Sequence, residues 1–188
     1  QELGLEVIVT DHHEPPDRLP PALAVVNPKR PDCPYPFKEL TGVGLALYLA
    51  LGIRAAMRQR GRFRHRAEPN LKAYLDLVAL GTAADVAPLL GVNRTLVSQG
   101  LQVLATTPRP GLVALKELAG LQGQTPTLRE VIFRLAPRLN APGRLGQAQL
   151  ALELLLTADL DQARRLALAL ERLNQERQAI EGEILTAA

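Results

Sequence analysis

A short β-branched run that ends in a polar triplet is the feature that most constrains how this chain can fold. The apolar run occupies residues 5–10, and Asp11, His12 and His13 follow it directly. Such a run predicts a buried strand, and in open α/β sheets catalytic groups gather beyond the carboxyl ends of the strands. Imidazole suits Mn, Zn or Fe, and carboxylate suits Mg or Mn. The triplet therefore predicts a hydrolytic metal site, although an isolated His-His pair is usually a surface turn or a helix start.

Composition predicts a helix-rich domain with an aliphatic core. Of the 188 residues, 47% are hydrophobic but 3% are aromatic, and Trp is absent. Leu-rich and Ala-rich stretches favour helices. The net charge of +3, carried mostly by Arg, permits a nucleic-acid partner without requiring one. A single cysteine, Cys33, and apolar stretches too short to span a membrane indicate a cytoplasmic protein without a membrane partner.

Apolar periodicity predicts two short strands followed by helices. The strands are expected at residues 6–10 and 22–26, with a Pro-rich loop after each. Thr41 is the expected N-cap of the first helix. Further helices are expected at residues 71–84, 93–104, 111–118, 127–135 and 145–156, and a long one follows Thr157 to the C-terminus; residues 138–144 are expected to form a loop. The fold class is therefore α/β, with a small, mainly parallel sheet flanked by helices.

Five arginines alternate with other residues between the first two predicted helices, at positions 58, 60, 62, 64 and 66. Such a run can be a track for nucleic-acid phosphates. A charge run between two helices is more often a solvated surface loop, and this is the interpretation we favour from the sequence.

Four segments occur in an order that is typical of one family. They are VIVTDHH at 7–13, NPK through TGVG at 27–44, LDLVALGTAADVAPL at 75–89 and PRLNAPGRLG at 137–146. Together they resemble the RecJ family of single-strand-specific exonucleases, within the DHH phosphoesterase superfamily. The Asp-His-His triplet is specific to the superfamily, whereas the last two segments point to RecJ. The resemblance covers nearly the whole chain.

The resemblance implies a site with two divalent ions, Mn²⁺ or Mg²⁺, that hydrolyses phosphodiester bonds of single-stranded DNA. It implies digestion from 5′ to 3′ and roles in recombination and repair. By motif, His12 is a metal ligand, His13 meets the scissile phosphate, and Asp11 orients the pair or is itself a ligand. Asp85 resembles the last carboxylate ligand, and Asp76 is the competitor for that role.

The resemblance also implies how the chain contacts DNA and how it is organised. Arg138, Asn140 and Arg144 resemble a loop that contacts phosphates of the strand. Partners from the repair pathway, such as a single-strand-binding protein or a helicase, are expected. Residues 1–157 should be the C-terminal part of the DHH catalytic domain, and residues 158–188 a long helix leading to a missing second domain.

The family's Asp-x-Asp motif and a further Asp, expected before the triplet, are absent from the sequence. Together with an abrupt start without Met, this indicates a fragment with an incomplete metal site that is inactive alone. One alternative is a DHH phosphoesterase acting on short oligonucleotides or cyclic dinucleotides; the RLNAPGR segment and the long last helix argue against it. The other is a non-catalytic scaffold, which the joint presence of the triplet and Asp85 opposes.

Overall fold

Two compact units make up the part of the chain that the structure describes. The computed structural model describes residues 4–187. The first unit extends to Gln99 and the second begins at Gly100. The predicted abrupt start falls on residues 1–3, which lie outside the described residues. The domain boundary expected after residue 157 remains a prediction.

The first unit contains a small parallel sheet. Strand β1 (Ile8–Thr10) pairs with β2 (Ala24–Val26), with Ile8 opposite Ala24. The ladder continues past the strand ends because the Asp11 amide donates to the Val26 carbonyl over 3.1 Å. No residue of β1 is buried and Ile8 is 56% exposed, so the prediction of a buried strand is wrong. Parallel sheets are normally covered on both faces. In residues 4–187, the residues of both strands are exposed or half-buried, so this sheet is only partly covered.

Helix α1 (Gly42–Gln59) begins where the sequence predicts. Thr41 is its N-cap, and the Thr41 hydroxyl accepts a hydrogen bond from the Gly44 amide over 3.3 Å. A 3₁₀ turn (Leu71–Tyr74) leads into helix α2 (Leu75–Ala84). The Thr41 hydroxyl lies 3.2 Å from the hydroxyl of Thr82 on α2. This buried contact joins the start of α1 to the last turns of α2.

The second unit is helical. Helix α3 (Gly91–Ala105) leads into it, and the remaining elements are α4 (Pro110–Leu118), α5 (Leu128–Glu130), a π-helical turn (Val131–Leu135), α6 (Ala136–Arg144), α7 (Ala148–Leu156) and α8 (Leu160–Ala187). Its core is aliphatic, with Leu112, Leu115, Leu135, Leu154 and Leu170 at most 1% exposed. No helix in the described part of the chain has the length and apolar character needed to cross a membrane.

Three details of the second unit differ from the sequence predictions. Residues 138–144, predicted as a loop, are helical: Pro137 lies in the first turn of α6, where a missing N–H is tolerated. Leu145 is the C-cap of α6, so α7 starts later than expected. The long helix starts after Asp159 rather than Thr157, since the Asp159 carboxylate accepts from the Gln162 amide over 2.5 Å.

Gly111 is required by the packing of α4 against α7. A Cβ atom at this position would lie 1.9 Å from the Leu154 carbonyl oxygen. We expect Gly111→Ala to lower the free energy of unfolding by about 1–3 kcal/mol, the usual cost of overpacking. Gly182→Ala in α8 is the matched control, because no atom lies within 4 Å of its added methyl group. Urea unfolding that gives both variants equal stability would contradict this packing.

Candidate metal centre

Asp11 organises the triplet at the end of β1. Its Oδ1 accepts hydrogen bonds from the His12 amide (2.7 Å), the His13 amide (3.2 Å) and His13 Nδ1 (2.7 Å). These bonds, the His13 side chain first, lower the pKa of Asp11 from 3.8 to about 2. Asp11 is therefore an anion at neutral pH, and it holds both the backbone and one imidazole of the triplet in place.

The contact with Asp11 sets the tautomer of His13. An ionised carboxylate can only accept, so His13 Nδ1 must carry the proton. The other ring nitrogen, Nε2, is then the one available to a ligand, and the side chain is 76% exposed. A histidine whose Nδ1–H is held by a carboxylate is the usual arrangement around metal and phosphate sites.

His12 lies between the end of α2 and the start of α1. Its Nδ1 is 3.7 Å from Oδ2 of Asp85. Its ring edge also approaches α1, since a Cβ at Gly42 would lie 3.4 Å from His12 Cδ2. The centroids of the His12 and His13 rings are 4.3 Å apart. Elements from three parts of the first unit thus bring two imidazoles and two carboxylates together.

The geometry favours Asp85 over Asp76 as the carboxylate beside the imidazoles. Asp85 is the C-cap of α2, and Val86 after it has a φ of 53°, an unusual conformation for a β-branched residue. Asp76 lies nine residues earlier, about 13 Å along the helix axis. It is fully buried, and its Oδ1 accepts from the Leu77 amide over 2.8 Å.

The structure also places Asn27 and Lys29 at the site, although the sequence pattern did not identify them as site residues. The buried amide of Asn27 donates to the His13 carbonyl over 2.9 Å and accepts from the Lys29 amide over 2.9 Å. Lys29 Nζ lies 3.0 Å from Glu14 Oε1, and this contact, together with the charges of nearby acids that include Asp85, raises the Lys29 pKa. The signal was present, because Asn27 directly follows the second strand as Asp11 follows the first.

An open cavity of about 350 Å³ joins these groups. Its polar lining consists of His12, His13, Glu14, Lys29, Glu39 and Asp85. One ligand atom each from Asp11, His12 and His13 can be chosen so that all three lie within 4.8 Å of one another. The cavity therefore offers nitrogen and oxygen donor atoms at the carboxyl end of the sheet. The side chain of Lys29 adds a positive charge beside them.

The three residues predicted to bind nucleic acid lie on α6 of the second unit. Arg138 Nε is 2.5 Å from Oε2 of Glu171, and its guanidinium also donates to the Arg134 carbonyl. The Arg138 side chain is 16% exposed, whereas Asn140 and Arg144 are exposed residues. Arg138 could meet a phosphate only by leaving Glu171, and the nucleic-acid role of all three residues stays a prediction.

Removing the His13 imidazole should move the Asp11 pKa. His13→Ala deletes the largest cause of the lowered value, so we expect the Asp11 pKa to rise from about 2 toward 3.8. Stability that Asp11 contributes above pH 3.8, and loses as the pH falls toward 2, should shrink accordingly. A ¹³C NMR titration of the carboxyl group measures this, with His65→Ala as control. An unchanged Asp11 pKa in His13→Ala would contradict the assigned hydrogen bond.

Comparisons with known proteins agree with this fold. The sequence matches the DHH family, N-terminal domain, over residues 1–82. It is 48% identical over 182 residues to the single-stranded-DNA-specific exonuclease RecJ of Haemophilus influenzae, covering 96% of this chain and 32% of that protein. RecJ from Thermus thermophilus in complex with Mn²⁺ matches with a TM-score of 0.81 and 43% identity, over 99% of this chain and 26% of that one.

The Mg²⁺ complex of the same Thermus protein matches with a TM-score of 0.76 and 42% identity, over 98% of this chain and 26% of that one. The chain thus spans about a third of the length of the first curated relatives it matches. The predicted α/β fold with a small parallel sheet is confirmed. The resemblance drawn from the four sequence segments is confirmed as well: the chain contains a match to the DHH family, N-terminal domain, and is similar to RecJ proteins over nearly its whole length.

Proposed function

We propose that this chain supplies part of the active site of a metal-dependent exonuclease that hydrolyses phosphodiester bonds of single-stranded DNA. The convergence of His12 and Asp85 with the Asp11–His13 pair at one edge of the sheet carries the proposal. The relatives are named single-stranded-DNA-specific exonucleases, which supports the same substrate here. By the same resemblance, we propose 5′-to-3′ digestion, a cytoplasmic location, roles in recombination and repair, and repair-pathway partners such as a single-strand-binding protein or a helicase.

The donor set fits a divalent ion. Imidazole nitrogen together with carboxylate oxygen suits Mn²⁺, and the solved RecJ complexes with Mn²⁺ and Mg²⁺ support these two ions. His12 and Asp85 would be ligands, and Asp11 would orient the pair or bind the ion itself. When bound, such ions polarise the phosphate and lower the pKa of a water molecule.

The remaining polar groups of the site would act on the substrate. His13 presents Nε2 to the cavity with its tautomer held by Asp11, so it can contact a phosphate oxygen. Lys29 adds a positive charge to the same cavity, where it would offset the charge of the phosphodiester. Asn27 would position His13 and Lys29, because its side-chain amide donates to the His13 carbonyl and accepts from the Lys29 backbone amide.

The exposed end of α6 would contact the strand elsewhere. Asn140 and Arg144 are accessible to phosphates. Arg138 is proposed as a third contact, with its ion pair to Glu171 holding α6 in position while the strand is absent. Phosphate contacts of this kind position a strand without reading its sequence.

Substitution of the metal ligands should abolish hydrolysis. The protein to use is the longest natural polypeptide that contains this sequence, called the parent protein below. In it, His12→Ala and Asp85→Asn should each slow nucleotide release from labelled dT20 in Mn²⁺ by several orders of magnitude. Metal ions supply several kcal/mol of transition-state stabilisation, and about 1.4 kcal/mol corresponds to a factor of ten.

His65→Ala is the matched control, since His65 is the chain's third histidine and lies outside the site. Its rate of hydrolysis should equal that of the native protein. A near-native rate in His12→Ala at the same Mn²⁺ concentration would refute the ligand role. A native protein that cleaves cyclic dinucleotides but not dT20 would refute the proposed substrate.

A further inference from the structure

The positive charge of the chain is concentrated in one segment. Residues 54–68 contain six arginines and one glutamate, a net charge of +5, whereas the whole chain carries +3. The remainder of the chain therefore carries −2. A basic excess confined to one segment is the electrostatic footprint expected of a polyanion-binding surface.

Part of this charge is left without acidic partners. Arg54 lies 3.2 Å from the carboxylate of Glu68, and Arg58 pairs with the same carboxylate. Arg60, Arg62 and Arg64 are exposed, and within residues 4–187 no ion pair joins them to an acidic side chain. The proposed nuclease site uses none of these residues, and neither does the packing of the core.

The arginines surround an apolar groove at the end of α1. The groove has a volume of about 460 Å³ and is lined by Ile53, Ala56, Met57, Arg60, Arg62 and Arg66. Arg66 is held in place, because its guanidinium lies 5.5 Å from the Phe63 ring centroid and its Nε donates to the Arg62 carbonyl over 3.1 Å. A lining of apolar side chains and guanidinium groups suits a strand whose bases pack on the apolar side chains and whose phosphates meet the arginines.

The length of α1 separates this groove from the metal centre. Gly42, at the start of α1, touches His12, and the groove lies at the other end of the 18-residue helix. Such a helix is about 27 Å long. The groove begins at Ile53, about 17 Å along the axis from Gly42, so a strand with stacked bases about 3.4 Å apart needs roughly five nucleotides to reach it.

From these observations we propose that Arg60, Arg62, Arg64 and Arg66 form a second contact surface for single-stranded DNA, at the C-terminal end of α1 and apart from the metal centre at its start. It binds the phosphate backbone of the part of the strand that is remote from the cleaved end. The inference rests on the proposed function for the identity of the polyanion. The sequence alone favours a solvated surface loop for this run. The structure favours a contact surface instead, because arginines of the run line a groove and, within residues 4–187, Arg60, Arg62 and Arg64 form no ion pair with an acidic side chain.

The test is binding of fluorescein-labelled dT20 to the parent protein in EDTA over a salt series. The R60Q/R62Q/R64Q variant should bind dT20 more weakly and lower the log–log salt slope by about 2, since each phosphate contact in a single strand contributes roughly 0.7. R60K/R62K/R64K should keep most of the native affinity. Hydrolysis of dT3 in Mn²⁺ should be unchanged in both variants, because dT3 is too short to occupy the metal centre and the groove together.

A matched control removes the same charge elsewhere. R94Q/R165Q/R172Q changes three exposed arginines outside the segment, and it should retain the native salt slope. Equal losses in both glutamine variants would overturn the proposal, since net charge would then explain them. Loss of dT3 hydrolysis in R60Q/R62Q/R64Q, or displacement of labelled dT20 by polyglutamate as effectively as by unlabelled dT20, would also overturn it. Binding in EDTA does not depend on catalysis, so a native protein without nuclease activity would refute the proposed function and leave this test intact.

Discussion

The parallel pairing of two three-residue strands is the constraint on which the site depends. Because β1 and β2 run in the same direction, the segments that follow them emerge at the same edge of the sheet. The hydrogen bond from the Asp11 amide to the Val26 carbonyl carries the ladder into the triplet. Asn27, which follows β2, then reaches the His13 carbonyl. A slip of one residue in this register would turn each side chain to the opposite face and dismantle the site.

Asp11 and two helix ends convert this edge into a binding site. Asp11 gathers three donors on one oxygen, which keeps it ionised and fixes His13. The start of α1 and the end of α2 then hold His12 between Gly42 and Asp85. The Thr41–Thr82 contact joins these two helices near the same point. The donor groups are therefore placed by the end of β1, the start of α1 and the end of α2.

Local pattern predicted the parts of the site that adjoin a clear element boundary. The triplet could be anticipated because it follows a β-branched run, whereas Asp85 could be anticipated only because its segment resembles the RecJ family. The role of Asn27 depends on a hydrogen bond across strands, which no periodicity reveals. Helix α6 was missed because Pro142 and Gly143 disfavour helix, and its packing against α8 outweighs that local cost. The exposure of Ile8 could not be predicted from local pattern either, because it depends on which elements cover the sheet.

The central claim is that His12 and His13 stand at one divalent-ion site, and NMR of the histidine rings tests it most directly. Mn²⁺ is titrated into ¹⁵N-labelled protein while the ring signals of the three histidines are followed, because a paramagnetic ion broadens the nuclei close to it. His65 follows the C-terminal end of α1 and does not line the cavity at the start of that helix, so it provides an internal reference. The account predicts that the His12 and His13 signals broaden at substoichiometric Mn²⁺ while the His65 signal stays sharp. Equal broadening of all three signals, or broadening of His65 first, would contradict it.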